Sequence, residues 1–193
     1  MSAQQIKLIV GLANPGSQYA KTRHNVGAWF IDLLSTEYNI PLKSEKKLFC
    51  ELGKGTIEGM PCMLAIPTTF MNLSGQAVQA LAHYYKLKPS EILIAHDELD
   101  MAPGVIKLKI GGGNGGHNGL KDIHGRLSNQ NTVRLRVGIG HPGHASQVSN
   151  YVLSKPNTDD ECDILRAIAT AAKDIKPILE GQFEKVMNDL HRK

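Results

Sequence analysis

Three apolar runs, each followed by a polar side chain, do most to limit what this chain can fold into. Leu8-Ile9-Val10 leads to Asn14, Met63-Leu64-Ala65-Ile66 to Asn72, and Ile92-Leu93-Ile94-Ala95 to Asp97. Short apolar runs without helical spacing, bounded by turn signals, read as buried strands. A sheet built from them needs helices packed on it, so an α/β layered domain follows. In open α/β sheets, ligands bind beyond the carboxyl ends of the strands, where Asn14, Asn72 and Asp97 would converge. Asn118, in the glycine-rich stretch Gly111–Gly119, is a fourth such group, and His24 in Thr22-Arg23-His24-Asn25 is their titratable partner.

The rest of the pattern fills in the layers. Ile6–Leu12 ends at the turn Asn14-Pro15-Gly16. Thr22 or Asn25 caps a helix with Val26, Phe30, Leu33 and Leu34 on one face, running to about Tyr38. Leu48–Ile57 and Cys62–Ile66 read as a hairpin, and Ser74 caps a helix that turns Ala77, Val78, Leu81, Ala82 and Tyr85 inward. In Val105–Ile110 the apolar residues alternate with Lys107 and Lys109, which therefore share a face. A short helix through Leu120, Ile123 and Leu127 follows the glycines. Val133, Leu135, Val137 and Ile139 then alternate with Arg134 and Arg136, repeating the apolar-in, basic-out pattern. Gly138–Tyr151 is either a plain surface loop or a movable cover over a site. Thr158-Asp159-Asp160-Glu161 forms a capping box for a long helix that Pro177 kinks and Gly181 ends. No repeat, low-complexity stretch or linker divides the chain. The expectation is one α/β domain over residues 1–193, a twisted mixed sheet flanked by helices.

Charge is unevenly distributed. Residues 1–100 hold 9 Lys/Arg and 9 Asp/Glu, residues 101–155 hold 7 and 1, and residues 156–193 hold 6 and 8. The positive excess sits in one segment, as expected either of a surface that meets phosphates or of a merely solvated face. Three cysteines without a C-x-x-C pair do not make a disulfide framework, and no apolar segment is long enough for a secretion signal or membrane span. A cytoplasmic monomer is expected.

The motifs exclude several chemistries. Gly111, Gly113 and Gly116 satisfy G-x-G-x-x-G, but about 20 residues further on the chain reads Asn131-Thr132-Val133-Arg134, with no acid to hold a ribose hydroxyl. There is no G-K-[ST] and no G-x-S-x-G, and no Cys lies beside a His. Water is therefore the expected attacking group. His141-x-x-His144 and His117 lack the companions of a metal-binding motif, so no metal is expected. A neutral imidazole oriented by a carboxylate can take a proton from water, which suits His24 with Asp97. His96 is a rival, although neighbours on a strand point to opposite faces and would separate it from Asp97. Asn72 and Asn118 each offer a donor and an acceptor without charge, which suits a neutral ester or amide; otherwise they begin turns or cap helices.

Read together, these stretches resemble the bacterial-type peptidyl-tRNA hydrolases. The resemblance rests on Val10-Gly11-Leu12-Ala13-Asn14-Pro15-Gly16, Thr22-Arg23-His24-Asn25-Val26-Gly27, Thr69-Phe70-Met71-Asn72-Leu73-Ser74-Gly75 and His96-Asp97-Glu98-Leu99-Asp100. It continues through Gly111-Gly112-Gly113-Asn114-Gly115-Gly116-His117-Asn118-Gly119-Leu120-Lys121 and Arg134-Leu135-Arg136-Val137-Gly138-Ile139-Gly140-His141-Pro142. It implies hydrolysis of the ester between a nascent peptide and the 3′-terminal ribose of tRNA, without cofactor. His24 would be the general base, Asp97 its orienting partner and Asn14 a hydrogen-bonding support. Asn72 and Asn118 would hold the peptide backbone, the 3′ end and the water, with Tyr19 and Met71 lining the cleft. Lys107, Lys109 and Arg136 would meet acceptor-arm phosphates. An RNA-binding module without catalysis would not need His24 and Asp97, and an amidohydrolase for small substrates would not need the basic face.

Overall fold

The computed structural model describes residues 4–192. Seven strands form one mixed sheet in the order β2-β3-β4-β1-β5-β7-β6. They are β1 (Leu8–Gly11), β2 (Lys43–Glu45), β3 (Cys50–Ile57), β4 (Met60–Pro67), β5 (Ile92–Glu98), β6 (Ile106–Ile110) and β7 (Val133–Gly138). β4, β1, β5 and β7 run parallel; β3 on β4, β2 on β3 and β6 on β7 are antiparallel. Alternation sorts the side chains into two cores. Ile9, Leu93 and Ala95 pack with α1 (Val26–Glu37), α5 (Thr158–Lys173), α6 (Ile175–Leu179) and α7 (Phe183–His191). Leu8, Val10, Ile92 and Ile94 pack with α2 (Ser74–Tyr84) and α3 (Asn118–Leu127) on the other face. This is the expected α/β sheet flanked by helices.

Several local expectations change. Asn25 precedes α1 but does not cap it: its side chain bonds both backbone groups of Asn14, at 2.9 and 3.0 Å, and locks the loop after β1. Ser74 lies inside α2 and donates to the Met71 carbonyl at 2.7 Å. Asn157, not Thr158, caps α5, accepting from the Asp160 N–H at 2.8 Å. Pro177 breaks the last long helix rather than kinking it. Its ring would clash with the carbonyl four residues back, at Lys173, where α5 ends. Leu48 belongs to a short turn before β3, and β2 was not foreseen.

Two close approaches fix the corner where β1, α1 and β5 meet. A Cβ on Gly27, in the first turn of α1, would overlap the Ala95 carbonyl oxygen, and one on Gly11 would overlap the carbonyl oxygen of Gly27. Glycine at both positions lets α1 begin directly over the strand ends. His24, two residues ahead of α1, is thereby brought to the carboxyl end of β5.

The glycine-rich segment has an equally specific path. Ile110 pairs with Val133 at the start of β7, whereas Asp97, which His117 reaches, pairs with Val137 near its end. Residues 111–116 must therefore run back along the sheet for about 13 Å, four residues of strand. Gly111, Gly112, Gly115 and Gly116 all have φ between +59° and +88°, which side chains disfavour. Arg134 secures this path from below, donating to the carbonyls of Gly111 (2.6 Å) and Gly113 (2.8 Å). Arg134 is only 3% exposed, so the basic-out reading of β7 fails at this residue.

Candidate active site

The carboxyl ends of β1, β4 and β5, with the start of α3, enclose a cleft of about 590 Å³. Asn14, Tyr19, His24, Met71, Asn72, Asp97 and Asn118 all line it, so the residues expected to converge do so. Lys107, Lys109 and Arg136 lie outside it. His96 is also absent from the lining; it is fully buried behind Asp97, bonded through Nδ1 to the Asp97 carbonyl at 2.8 Å. Burial pushes its imidazole down to about 3, so it stays neutral.

Asp97 is the hub of the cleft. One carboxylate oxygen meets His24 Nδ1 at 2.9 Å and the other meets His117 Nε2 at 2.7 Å. His117 also caps α3, its Nδ1 accepting from the backbone N–H groups of Gly119 (3.1 Å) and Leu120 (3.3 Å). Because Nδ1 accepts, the hydrogen of neutral His117 must sit on Nε2 and point at Asp97. His24 likewise donates from Nδ1, which leaves Nε2 as the nitrogen with a free lone pair. Burial would by itself raise the Asp97 pKa, but the two imidazoles hold the carboxyl well below the usual carboxylate range. For His24 burial is also the largest influence and lowers its proton affinity; the charge and hydrogen bond of Asp97 together outweigh it, and the net shift is upward from 6.5.

The amides are oriented as well. Asn14 Oδ1 accepts from the Met71 backbone N–H at 2.7 Å, so its Nδ2 hydrogens are turned to the cleft. A Cβ on Gly119 would lie 2.8 Å from Met71 Sδ, so glycine there lets α3 pack against Met71. Among the described residues, the exposed amides of Asn72 and Asn118 make no hydrogen bond within the chain, and both stand free at the rim. Tyr19 and Phe70 meet edge to face, centroids 6.4 Å apart, across the mouth.

The segment 138–153 closes the remaining side. It folds into a short turn and α4 (Val148–Val152), whose Val148 and Val152 line the cleft. Tyr151 ties it down, donating to the Ile139 carbonyl at 2.6 Å, and the Arg23 guanidinium stacks 3.9 Å from the Tyr151 ring. Arg23 also donates to Ser154 Oγ at 2.5 Å. The residue next to His24 thus anchors the cover.

Sequence matches agree with this geometry. The sequence model for the family described as peptidyl-tRNA hydrolase matches residues 8–193. A peptidyl-tRNA hydrolase of Marinomonas sp. (strain MWYL1) is 55% identical over 186 residues, 96% of each chain, and one of Pectobacterium carotovorum is 54% identical over 187. The chain belongs to the peptidyl-tRNA hydrolase family. The crystal structure of peptidyl-tRNA hydrolase from Acinetobacter baumannii superposes with a TM-score of 0.95 at 48% identity, covering 98% of this chain and 96% of that one.

Against this family frame, sequence reasoning missed His117 and Arg23 as parts of the site. The sequence alone suggests no more for His117 than a metal ligand, because sequence distance hides that it shares Asp97 with His24. The fold does gather a two-histidine, one-carboxylate group whose ligand atoms lie within 4.8 Å of one another. His24 Nδ1 and His117 Nε2 are, however, each already hydrogen-bonded to a different oxygen of the Asp97 carboxylate. A cation held through those two nitrogens would have to break both bonds. His141 and His144 do not join the group.

Proposed function

We propose that this chain hydrolyses the ester between a peptide and the 3′-terminal ribose of tRNA, as a single catalytic domain acting as a cytoplasmic monomer. The observation that carries the reading is the Asp97 carboxylate held between two imidazole N–H groups, which leaves His24 Nε2 to the cleft. No helix among the described residues is long and apolar enough to cross a membrane.

His24 is the general base and Asp97 orients it. Nε2 takes a proton from water as the water oxygen bonds to the ester carbon. Asn14, its oxygen engaged by Met71, offers Nδ2–H to the oxygen on which negative charge develops. The same proton then passes from His24 to the departing ribose oxygen. Asn72 and Asn118 hold the peptide backbone and the 3′ end, and Tyr19 and Met71 supply the apolar wall. His117 keeps Asp97 ionised and fixed. No metal takes part. Lys107, Lys109 and Arg136 meet phosphates of the acceptor arm; Arg136 bonds Glu98, which itself lines the cleft, so the basic strands adjoin the site.

The deciding assay compares a peptidyl-tRNA with its unblocked aminoacyl counterpart. The neutral amides should favour the substrate with a peptide bond, because an ammonium would be desolvated there without a partner. Equal rates would refute this role for the amides, and no hydrolysis of either would refute the proposed reaction. Dialysis against a strong chelator should leave the rate unchanged; loss restored by zinc would overturn the metal-free mechanism.

A further inference from the structure

The cleft does not end at its two asparagines. Asn72 and Asn118 also form the mouth of a second depression of about 500 Å³ between α2 and α3, which continues past Lys121 and Gly125 to Arg126. Arg126 borders a third depression of about 490 Å³ running by Gln76 and Gln79 to Phe49. The three share residues end to end, so one surface path leads from the ester site down the α2–α3 face. Its walls are held rigidly. Asp122 Oδ2 accepts from the Gly75 N–H at 2.8 Å and from Arg126 Nε at 2.9 Å, and a Cβ on Gly75 would lie 2.6 Å from the Asp122 carbonyl oxygen.

The chemistry of this path singles out its occupant. A polynucleotide would want a row of unpaired cations, yet Arg126 is neutralised by Asp122, which among the described residues leaves Lys121 as the one lysine or arginine lining the groove without a salt bridge. What the path offers instead is a row of side-chain amides, Asn72, Asn118, Gln76 and Gln79, each able to donate and accept. Neutral paired donors and acceptors suit a main chain whatever its side chains. We infer that the α2–α3 groove is an extended subsite for the peptide moiety of the substrate, reading backbone beyond the residue esterified to tRNA. This rests on the reaction proposed above. From Asn118 to Arg126 α3 rises about 12 Å, which matches roughly four residues of extended peptide.

Gly125 provides a test that leaves the core alone. It is exposed on α3, and a Cβ added there meets nothing within 4 Å, so a side chain would extend into the groove. In the wild type, kcat/KM for peptidyl-tRNAs of one to six residues should rise on the order of tenfold by about the fifth residue, the effect of two or three net backbone hydrogen bonds, and then level off. Gly125→Trp should abolish that rise, through KM, while Gly125→Ala should keep it. A wild-type profile flat with peptide length, or a rise that survives in Gly125→Trp, would overturn the subsite. Weaker binding of deacylated tRNA to Gly125→Trp would assign the groove to RNA and overturn it equally. A wild type that hydrolyses none of the series would instead mark failure of the reaction itself.

Discussion

The catalytic corner and the basic strands β6 and β7 both carry polar groups on the one sheet, but they use them in opposite ways. At the corner the carboxylate and both imidazoles are held by one another: Asp97 divides its two oxygens between His24 and His117, and the second nitrogen of His117 takes two backbone N–H groups. On β6 and β7 four cations alternate with the same regularity, yet they have different fates. Arg134 is buried under the glycine segment, Arg136 is paired to Glu98, Lys107 is half-buried and Lys109 is exposed. Regular spacing thus says which face a charge occupies, and only packing says whether it is free to meet a ligand.

The sharpest way to break this contrast is at the corner. His24→Ala should lower kcat by on the order of 10²-fold or more while leaving tRNA affinity nearly unchanged, as expected for loss of a general base. Near-normal turnover would remove His24 from the mechanism. Asp97→Asn should act through the pH profile as well. The base works when unprotonated, and Asp97 is what lifts the His24 pKa above 6.5 against burial. Without that carboxylate the alkaline-side plateau should be lower, and its acidic limb should move to lower pH. A limb that stays in place would mean that another group titrates.

Arg134 marks the boundary between the two regions. Arg134→Gln withdraws donors from two carbonyls in a segment that must hold positive φ. Stability should fall by about 2 kcal/mol, as for loss of buried charge-assisted bonds, where an exposed arginine would cost less than about 0.5 kcal/mol. Turnover should fall less than in His24→Ala, because His117 is displaced rather than lost. Thermal unfolding beside kcat separates these effects, and an unchanged Tm would return Arg134 to the surface.

How much of this was legible in the sequence follows from the range of each interaction. Runs such as Ile92-Leu93-Ile94-Ala95 announce strands through local pattern, and the rule that ligands bind at strand ends then collects Asn14, Asn72 and Asp97. The role of His117 was hidden because it depends on how far residues 111–116 travel back along β7, which sheet register decides. Arg134 was misread for the same reason: alternation placed it on a face but could not show that the chain returns over that face. Asn25 and Asn157 show the reverse error, since capping chemistry was correctly sensed near both helix starts but tertiary contact or a one-residue shift decided which side chain was used.

The smallest expected effect lies at the exposed end of the basic strands. If Lys109 holds a phosphate, Lys109→Ala releases one fewer counterion on binding, and the slope of log affinity against log salt should flatten by about 0.7–0.9. Lys107, half-buried, should give the same change or less. Arg136 differs, because it must share its guanidinium between Glu98 and RNA. Removing it leaves the Glu98 carboxylate facing the incoming phosphates, so Arg136→Ala should weaken binding by more than one contact. Adding Glu98→Gln should restore part of that loss. A minimal substrate without the acceptor stem should be indifferent to the lysines. Salt titrations of the three variants and the double variant with full-length tRNA make the comparison. Unchanged slopes for both lysines would show a solvated face, and no rescue at Arg136 would show that its pairing with Glu98 is irrelevant to RNA.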